Sequence, residues 1–282
     1  MSLTVIAPGL QTLVQDTGRP GRGSSGVGRS GAFDRTAYRQ ANTLVGNADE
    51  AAVLEVLGGG LRLRASREHV VAITGAVGPI HVDGHPVEHG RAFVVPAEKA
   101  FHLGGLDVGL RAYVGVAGGI EADPVLGSRS TDTMSGLGPP VLAADDVLRV
   151  GFPSPAPGFM DVPALLTSGS TSVDVILGPR DDWFTNAAVA RFLSAAWIVS
   201  PTSNRIGIRL EGPSLERSVT DELPSEPCVF GSVQVTSAGQ PVVFGPDHPV
   251  TGGYPVVAVV VDRQLDRLAQ LRPGETLRFR RA

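Results

Sequence analysis

A single cysteine, Cys228, serves a chain of 282 residues. It permits no internal disulfide and no cysteine-based metal cluster. In its apolar surroundings it reads as a small buried hydrophobe rather than a nucleophile. Aromatic residues are scarce, at 5%. The longest apolar run, Val256 to Val261, is strand-sized and too short to span a bilayer. The opening residues, MSLTVIAPG, carry no charged region ahead of an apolar run and so do not read as a signal peptide. A formal net charge of −4 lacks the basic excess that nucleic acid or an anionic membrane surface requires. These absences lead to the expectation of a soluble cytoplasmic protein. The chain also has no GxxxxGK[ST] phosphate loop and no HExxH. His81, His85 and His89 recur every four residues, but Asp83-Gly84 and Pro86 make that segment a hairpin rather than a helix, so no metal site is expected.

What is abundant is glycine (36) and proline (22), against 42% hydrophobic and 18% charged residues. That is a globular composition with an ample core and frequent turns between short elements. Alternating and β-branched runs recur: 3–6, 10–15, 53–56, 61–63, 70–74, 80–82, 86–87, 91–95, 111–117 and 147–150. Phe33, Ala37, Ala41 and Leu44 share one helix face, and Gly46-Asn47 supplies its stop. A Pro/Ser/Gly-rich linker over 153–172 is the natural boundary between domains at 1–152 and 173–282. After it the pattern repeats. VDVILGP echoes LTVIAPG, a helix over Asp182–Trp197 takes the place of the Phe33 helix, and Glu211 in NRIGIRLEGPSL matches Glu55 in VLEVLGGG. That second helix carries Trp183, Ala187, Ala190, Leu193 and Trp197 on one face, and a last short helix spans Arg263–Leu271. The fold class is mainly β with a few helices, built as two copies of one unit.

One stretch has no counterpart in the second copy. Between Thr12 and Asn47 the chain runs TLVQDTGRPGRGSSGVGRSGAFDRTAYRQANTLVGN, a strand, a glycine loop and a helix. The loop reads either as a flexible surface segment or as backbone that approaches a ligand or a neighbouring chain closely. Gln15, Asp16, Arg19 and Asp34 flank it with hydrogen-bonding groups. Asp34 is equally a helix cap, and Asn42, on the polar side of the helix, is equally solvated surface. Arg129, Ser130 and Thr131 lie in a loop suited to a carboxylate or phosphate, or the arginine simply closes the loop on a backbone carbonyl. Arg205 binds an anion or pairs with Glu211 on a neighbouring strand. Glu226 precedes the Cys228 strand, Gln234 borders a turn, and Thr251 to Tyr254 carries two glycines that allow close approach.

The segments VQDTGRPG, GVGRSGAFD, ANTLVGN, VAGGI, LGSRST, SNRIGIRL and VTGGYP, in this order, resemble the KipA / allophanate hydrolase subunit 2 family. This is the family of carboxyltransferase subdomains A and B, and its bacterial members include the C-type component of 5-oxoprolinase. The resemblance implies two tandem cyclophilin-like β-barrel subdomains and a KipI / subunit 1-like partner, with a LamB/YcsF-like third subunit in 5-oxoprolinase. It implies an ATP-dependent opening of a lactam by the complex, with ATP used by the complex rather than necessarily held by this chain. On that reading Asp16, Arg19, Asp34 and Glu226 are catalytic candidates. Gln15, Asn42, Arg129, Ser130, Thr131, Arg205, Gln234, Thr251 and Tyr254 are the substrate-binding candidates. Arg19, Arg129 and Arg205 are the expected donors to a phosphoryl group, and the glycine loop is expected to line a cleft or partner interface, with Asp16 and Arg19 facing it. Two other activities remain open: carboxyl transfer from carboxybiotin to a urea-like amide, and non-catalytic sequestration of the KipI-like partner. No AMKM-like segment occurs, so biotin would be carried by another protein. The family pattern is departed from at Ser225-Glu226-Pro227, usually Ser-Glu-Gly, and at Asp247-His248-Pro249-Val250 before TGGYP, usually a more polar stretch.

Overall fold

The computed structural model describes residues 1–153 and 169–282. The linker expected over 153–172 therefore lies largely outside the described residues. Among the described residues the architecture is mainly β with three α-helices, as the composition predicts. The chain divides into two compact units. The first comprises Met1–Arg19, Ser30–Asp132 and Gly136–Leu166; the second comprises Pro20–Arg29, Thr133–Ser135 and Thr167–Ala282.

The first unit contains β1 (Ser2–Pro8), β2 (Gln11–Gln15), α1 (Arg35–Leu44), β3 (Val53–Leu57), β4 (Leu61–Ala65), β5 (His69–Val77) and β6 (Ile80–Val82). It continues with β7 (His85–Val87), β8 (Ala92–Val95), β9 (Ala100–Leu103), β10 (Val108–Val116), β11 (Ile120–Glu121) and β12 (Val147–Val150). One sheet has the order β11-β12-β1-β4-β9-β6-β7 and the other β2-β3-β10-β5-β8. Both contribute to one buried cluster, in which Leu3, Leu61, Leu63 and Phe101 of the first sheet meet Leu54, Val56, Ile73 and Val114 of the second. The alternation Leu61, Leu63, Ala65 buried against Arg62 and Arg64 exposed follows from the period-two pleat. Central strand β10 is buried on both faces, because α1 covers the side turned away from the sandwich core. The helix comes close because β10 and β5 carry glycines beneath it. A Cβ on Gly115 would lie 2.6 Å from the Ala41 carbonyl oxygen, and one on Gly75 would lie 3.3 Å from the Ala37 Cβ.

The second unit contains β13 (Ser170–Leu177), α2 (Asn186–Ser194), β14 (Trp197–Val199), β15 (Gly207–Glu211), β16 (Glu226–Pro227), β17 (Ser232–Val235) and β18 (Pro241–Phe244). It ends with β19 (Thr251–Gly252), β20 (Val256–Val260), α3 (Leu265–Leu268) and β21 (Thr276–Arg281). Seven of these strands close into a barrel, β13-β20-β17-β18-β15-β14-β21, sealed by the parallel pairing of β13 with β21. Phe192 of α2 stacks on Phe279 of β21 at 4.4 Å, and the Trp197 indole N–H donates to the Phe192 carbonyl at 3.1 Å.

The second helix is shorter than expected. Asp181–Trp183 is a separate 3-10 turn, Thr185 caps α2, and Trp197 belongs to β14. Its buried residues are Ala188 and Phe192, not the predicted Ala187, Ala190 and Leu193. The early stop comes at Ala195, whose extended backbone starts the approach to β14. The last helix is likewise split into a 3-10 turn, Asp262–Gln264, and α3. His81 and His85 lie on the two strands of the expected hairpin, and among the described residues no group of three or more metal-ligating side chains converges. Among them, too, no helix is long and apolar enough to cross a membrane.

Candidate functional sites

In the first unit Asp16 ends strand β2 and gathers two loops. Its Oδ1 accepts from the Ser128 and Ser130 hydroxyls, both at 2.6 Å, and from the Gly18 N–H at 2.8 Å. Its Oδ2 accepts from the Arg129 N–H at 2.6 Å. The Gln15 amide donates to the Thr131 carbonyl at 2.8 Å, and the Ser30 hydroxyl donates to the same oxygen at 3.2 Å. Arg19 donates to the Ser130 carbonyl and, at 3.4 Å, to the Val125 carbonyl, with Nη1 3.8 Å from the Asp132 carboxylate. Six predicted residues (Gln15, Asp16, Arg19, Arg129, Ser130 and Thr131) therefore share one network. Asp16 and Arg19 are 4% and 1% exposed, so the expectation that both face an open cleft is corrected: their polar atoms are turned into the loops they tie together. Two atoms of this network, Gln15 Oε1 and Arg19 Nη1, are buried without a hydrogen-bond partner. The half-buried Arg129 closes its loop by donating from Nε to the Ala122 carbonyl at 3.0 Å.

Asp34 and Asn42 belong to other networks, at the two ends of α1. Asp34 caps the helix by accepting from the Ala37 N–H at 2.8 Å. Asn42 is fully buried, donating to Ala51 O at 2.8 Å and accepting from Asn47 at 3.0 Å, so it is not solvated surface. Beside the helix start lies a cluster absent from the sequence-predicted sites. Glu55 Oε2 accepts from the Tyr113 hydroxyl at 2.8 Å and the Phe33 N–H at 3.0 Å, while Arg111 Nε sits 3.6 Å from Oε1. The Tyr113 hydroxyl also accepts from the Asp34 N–H at 2.7 Å. Burial, reinforced by the Glu55 charge, pushes the Tyr113 phenol well above its ordinary range, so it stays a neutral donor. The signal available in the sequence is Glu55 as the sole charge inside VLEVL.

In the second unit Arg205 and Asp247 form a buried two-point ion pair, with Nε–Oδ2 and Nη2–Oδ1 both at 2.9 Å. Thr133 adds its N–H at 3.0 Å and its hydroxyl at 2.7 Å to Asp247 Oδ2. The alternative partner for Arg205, Glu211, is exposed at the end of β15. The glycine loop segment Pro20–Arg29 belongs to this unit, and a Cβ on Gly28 would lie 3.1 Å from the His248 carbonyl oxygen. Glu226 and Thr251 lie on the paired short strands β16 and β19. Glu226 receives a forked hydrogen bond from Arg180, which holds its carboxyl below the usual glutamate range. Gln234 donates to the Tyr254 carbonyl at 3.0 Å and lies 3.6 Å from the Cys228 sulfur. Cys228 is buried, and burial pushes its thiol up. The exposed Tyr254 ring lies 5.8 Å from the Arg217 guanidinium.

The carboxyltransferase domain family, subdomains A and B, matches residues 25–281. The chain is 36% identical to the C-type component of 5-oxoprolinase from Escherichia coli, over 98% of this chain and 90% of that protein. It is 31% identical to urea amidolyase of Lachancea kluyveri, over 98% of this chain but 16% of that protein. The crystal structure of the K. lactis urea amidolyase superposes with a TM-score of 0.92 at 31% identity, covering 99% of this chain and 18% of that one. The span, the fold and the identity agree, and the chain belongs to the carboxyltransferase domain family, subdomains A and B.

Proposed function

We propose that this chain is a subunit of an ATP-dependent 5-oxoprolinase, working with a KipI-like partner and a LamB/YcsF-like subunit in the cytoplasm. The observation that carries the reading is coverage. The chain accounts for 90% of the E. coli 5-oxoprolinase component, whereas it spans only 16% of the L. kluyveri urea amidolyase. Opening the lactam breaks its C–N bond: the carbonyl carbon gains a hydroxyl from water, the nitrogen gains a proton, and glutamate results. ATP supplies the driving force to the complex. Arg19 and Arg205 do not fit a triphosphate, since both are buried and donate to backbone carbonyls or to Asp247. No step is routed through them, and they act as positioning residues, as Asp16 does. On this reading Arg129, Ser130 and Thr131 complete the network around Asp16, while Asp34 and Asn42 hold the two ends of α1 beside it. Glu226, Gln234, Thr251 and Tyr254 supply the polar rim of the second.

The test is glutamate formation from 5-oxoproline and ATP by the three purified subunits. Activity that requires this chain supports the proposal, and activity indifferent to its omission overturns it. The family match and the fold shared with urea amidolyase favour a second reading, carboxyl transfer from carboxybiotin to a urea-like amide. Consumption of carboxybiotin by the complex, with no ATP-dependent release of glutamate, would select it.

A further inference from the structure

The solvent face of the first unit's larger sheet carries a charge pattern that the network around Asp16 does not use. Arg62 of β4 stands directly opposite His102 of β9, and His102 stands directly opposite His81 of β6. Directly paired residues on one sheet face have Cβ atoms about 4.5–5.5 Å apart. The three side chains thus form one continuous row across three strands, all on the side away from the core. Ala7 and Ala100 are short, and the larger side chains around them leave an open groove of about 510 Å³ lined by Arg62, His81, Asp83 and His102. Arg64 projects from the same face of β4. Asp83, the acid of the groove, is already neutralised, with Lys99 Nζ 2.7 Å from its carboxylate and holding it below the ordinary range. Among the described residues neither Arg62 nor Arg64 has a carboxylate within ion-pair distance, in contrast to Arg111 and Arg205, which are paired inside the protein. A row of cationic and imidazole donors whose one neighbouring acid, Asp83, is already paired with Lys99 stands out on a chain of net charge −4.

We propose that this groove binds a small phosphate-bearing anion, seated on the Arg62 guanidinium and the His102 and His81 imidazoles. Guanidinium and imidazole N–H groups match phosphoryl oxygens as charge-assisted donors. The groove falls in the size range of small-molecule sites rather than that of a single ion. Binding is weakened by salt. His85, exposed on β7, and the Asp83–Lys99 pair are the neighbouring groups that modulate this response.

The experiment uses the full chain and inorganic pyrophosphate, followed by titration calorimetry and by the imidazole resonances of the histidines. Saturable one-to-one binding is expected, with the His81 and His102 signals moving together and the buried His69 unmoved. Arg62→Ala is expected to weaken binding about tenfold, and Arg39→Ala, on the exposed side of α1, to leave it unchanged. Citrate supplies the carboxylate comparison. Absence of saturable binding, undiminished affinity in Arg62→Ala and His102→Ala, or citrate binding as tightly as pyrophosphate would each overturn the assignment. All the substituted side chains are exposed, so folding is maintained and checked by the unchanged unfolding midpoint.

Discussion

Glu55 and Glu211 occupy matching places in the two halves of the sequence, yet one is 3% exposed inside a hydrogen-bonded cluster and the other lies in solvent. The same divergence runs through the buried carboxylates. Asp16 in the first unit is held by two hydroxyls and two backbone N–H groups, all neutral donors. Asp247 in the second is held by a guanidinium at two points. Repeated strands thus preserve the scaffold while the polar interior is rebuilt in each copy. The two solutions differ in what they leave behind when broken. Removing Asp247 takes the carboxylate from a buried cation, whereas removing the charge of Asp16 takes an acceptor from neutral dipoles.

The largest effect expected is therefore Asp247→Ala, which removes the two-point carboxylate contact of the buried Arg205 guanidinium and costs about 3–5 kcal/mol. Urea unfolding of the full chain measures it. The isosteric Asp16→Asn retains one oxygen for the hydroxyl donors but turns an N–H toward a backbone N–H, and is expected to cost about 1–3 kcal/mol. If Asp16→Asn proved as damaging as Asp247→Asn, the distinction between dipolar and ionic anchoring would collapse. A smaller effect tests the helices. Asp34 and Thr185 cap α1 and α2 through the N–H groups of Ala37 and Ala188. Thr185→Ala is expected to cost about 1 kcal/mol. Asp34→Ala should cost more, because the cap it removes is buried and fixes the backbone whose N–H bonds Tyr113; equal losses would show that the Glu55 cluster does not depend on the cap's position.

Local features of this chain are legible because local chemistry decides them. The 3–4 spacing from Phe33 to Leu44 produces α1, and Asp83-Gly84 produces the β6–β7 hairpin. Register is not legible. Tyr113 faces Glu55 directly across β10 and β3, a pairing of residues far apart in sequence that no spacing announces. Arg205 finds Asp247 across 42 residues instead of the nearer Glu211. Strand β9 escapes pattern reading because AFHL is short and follows the charged stretch AEK, and with it goes the row that joins His102 to Arg62 and His81. In sequence the Gly-rich stretch is one object. The structure divides it: Asp16 and Arg19 are organised within the first unit, and Pro20–Arg29 groups with the second.

The smallest expected effect concerns the exposed counterpart of the buried pairs. Arg180 holds the Glu226 carboxyl below its ordinary value, so the folded chain binds that proton less readily than the unfolded chain. The pair's contribution is present above the unfolded glutamate value, about 4.3, and is lost as pH falls through the lowered folded value. Stability contributed by Glu226 is then flat near neutrality and declines only in acid. Asp174, likewise lowered by its bonds to Gln264 and Arg280, declines in the same direction. The difference between the parent chain and Glu226→Gln across pH isolates the first pair from the second. That difference should be small because both side chains are partly solvated, and it should shrink further in high salt. A difference that survives high salt undiminished would place Glu226 with Asp247 among the buried, structure-determining pairs rather than on the rim of the second unit.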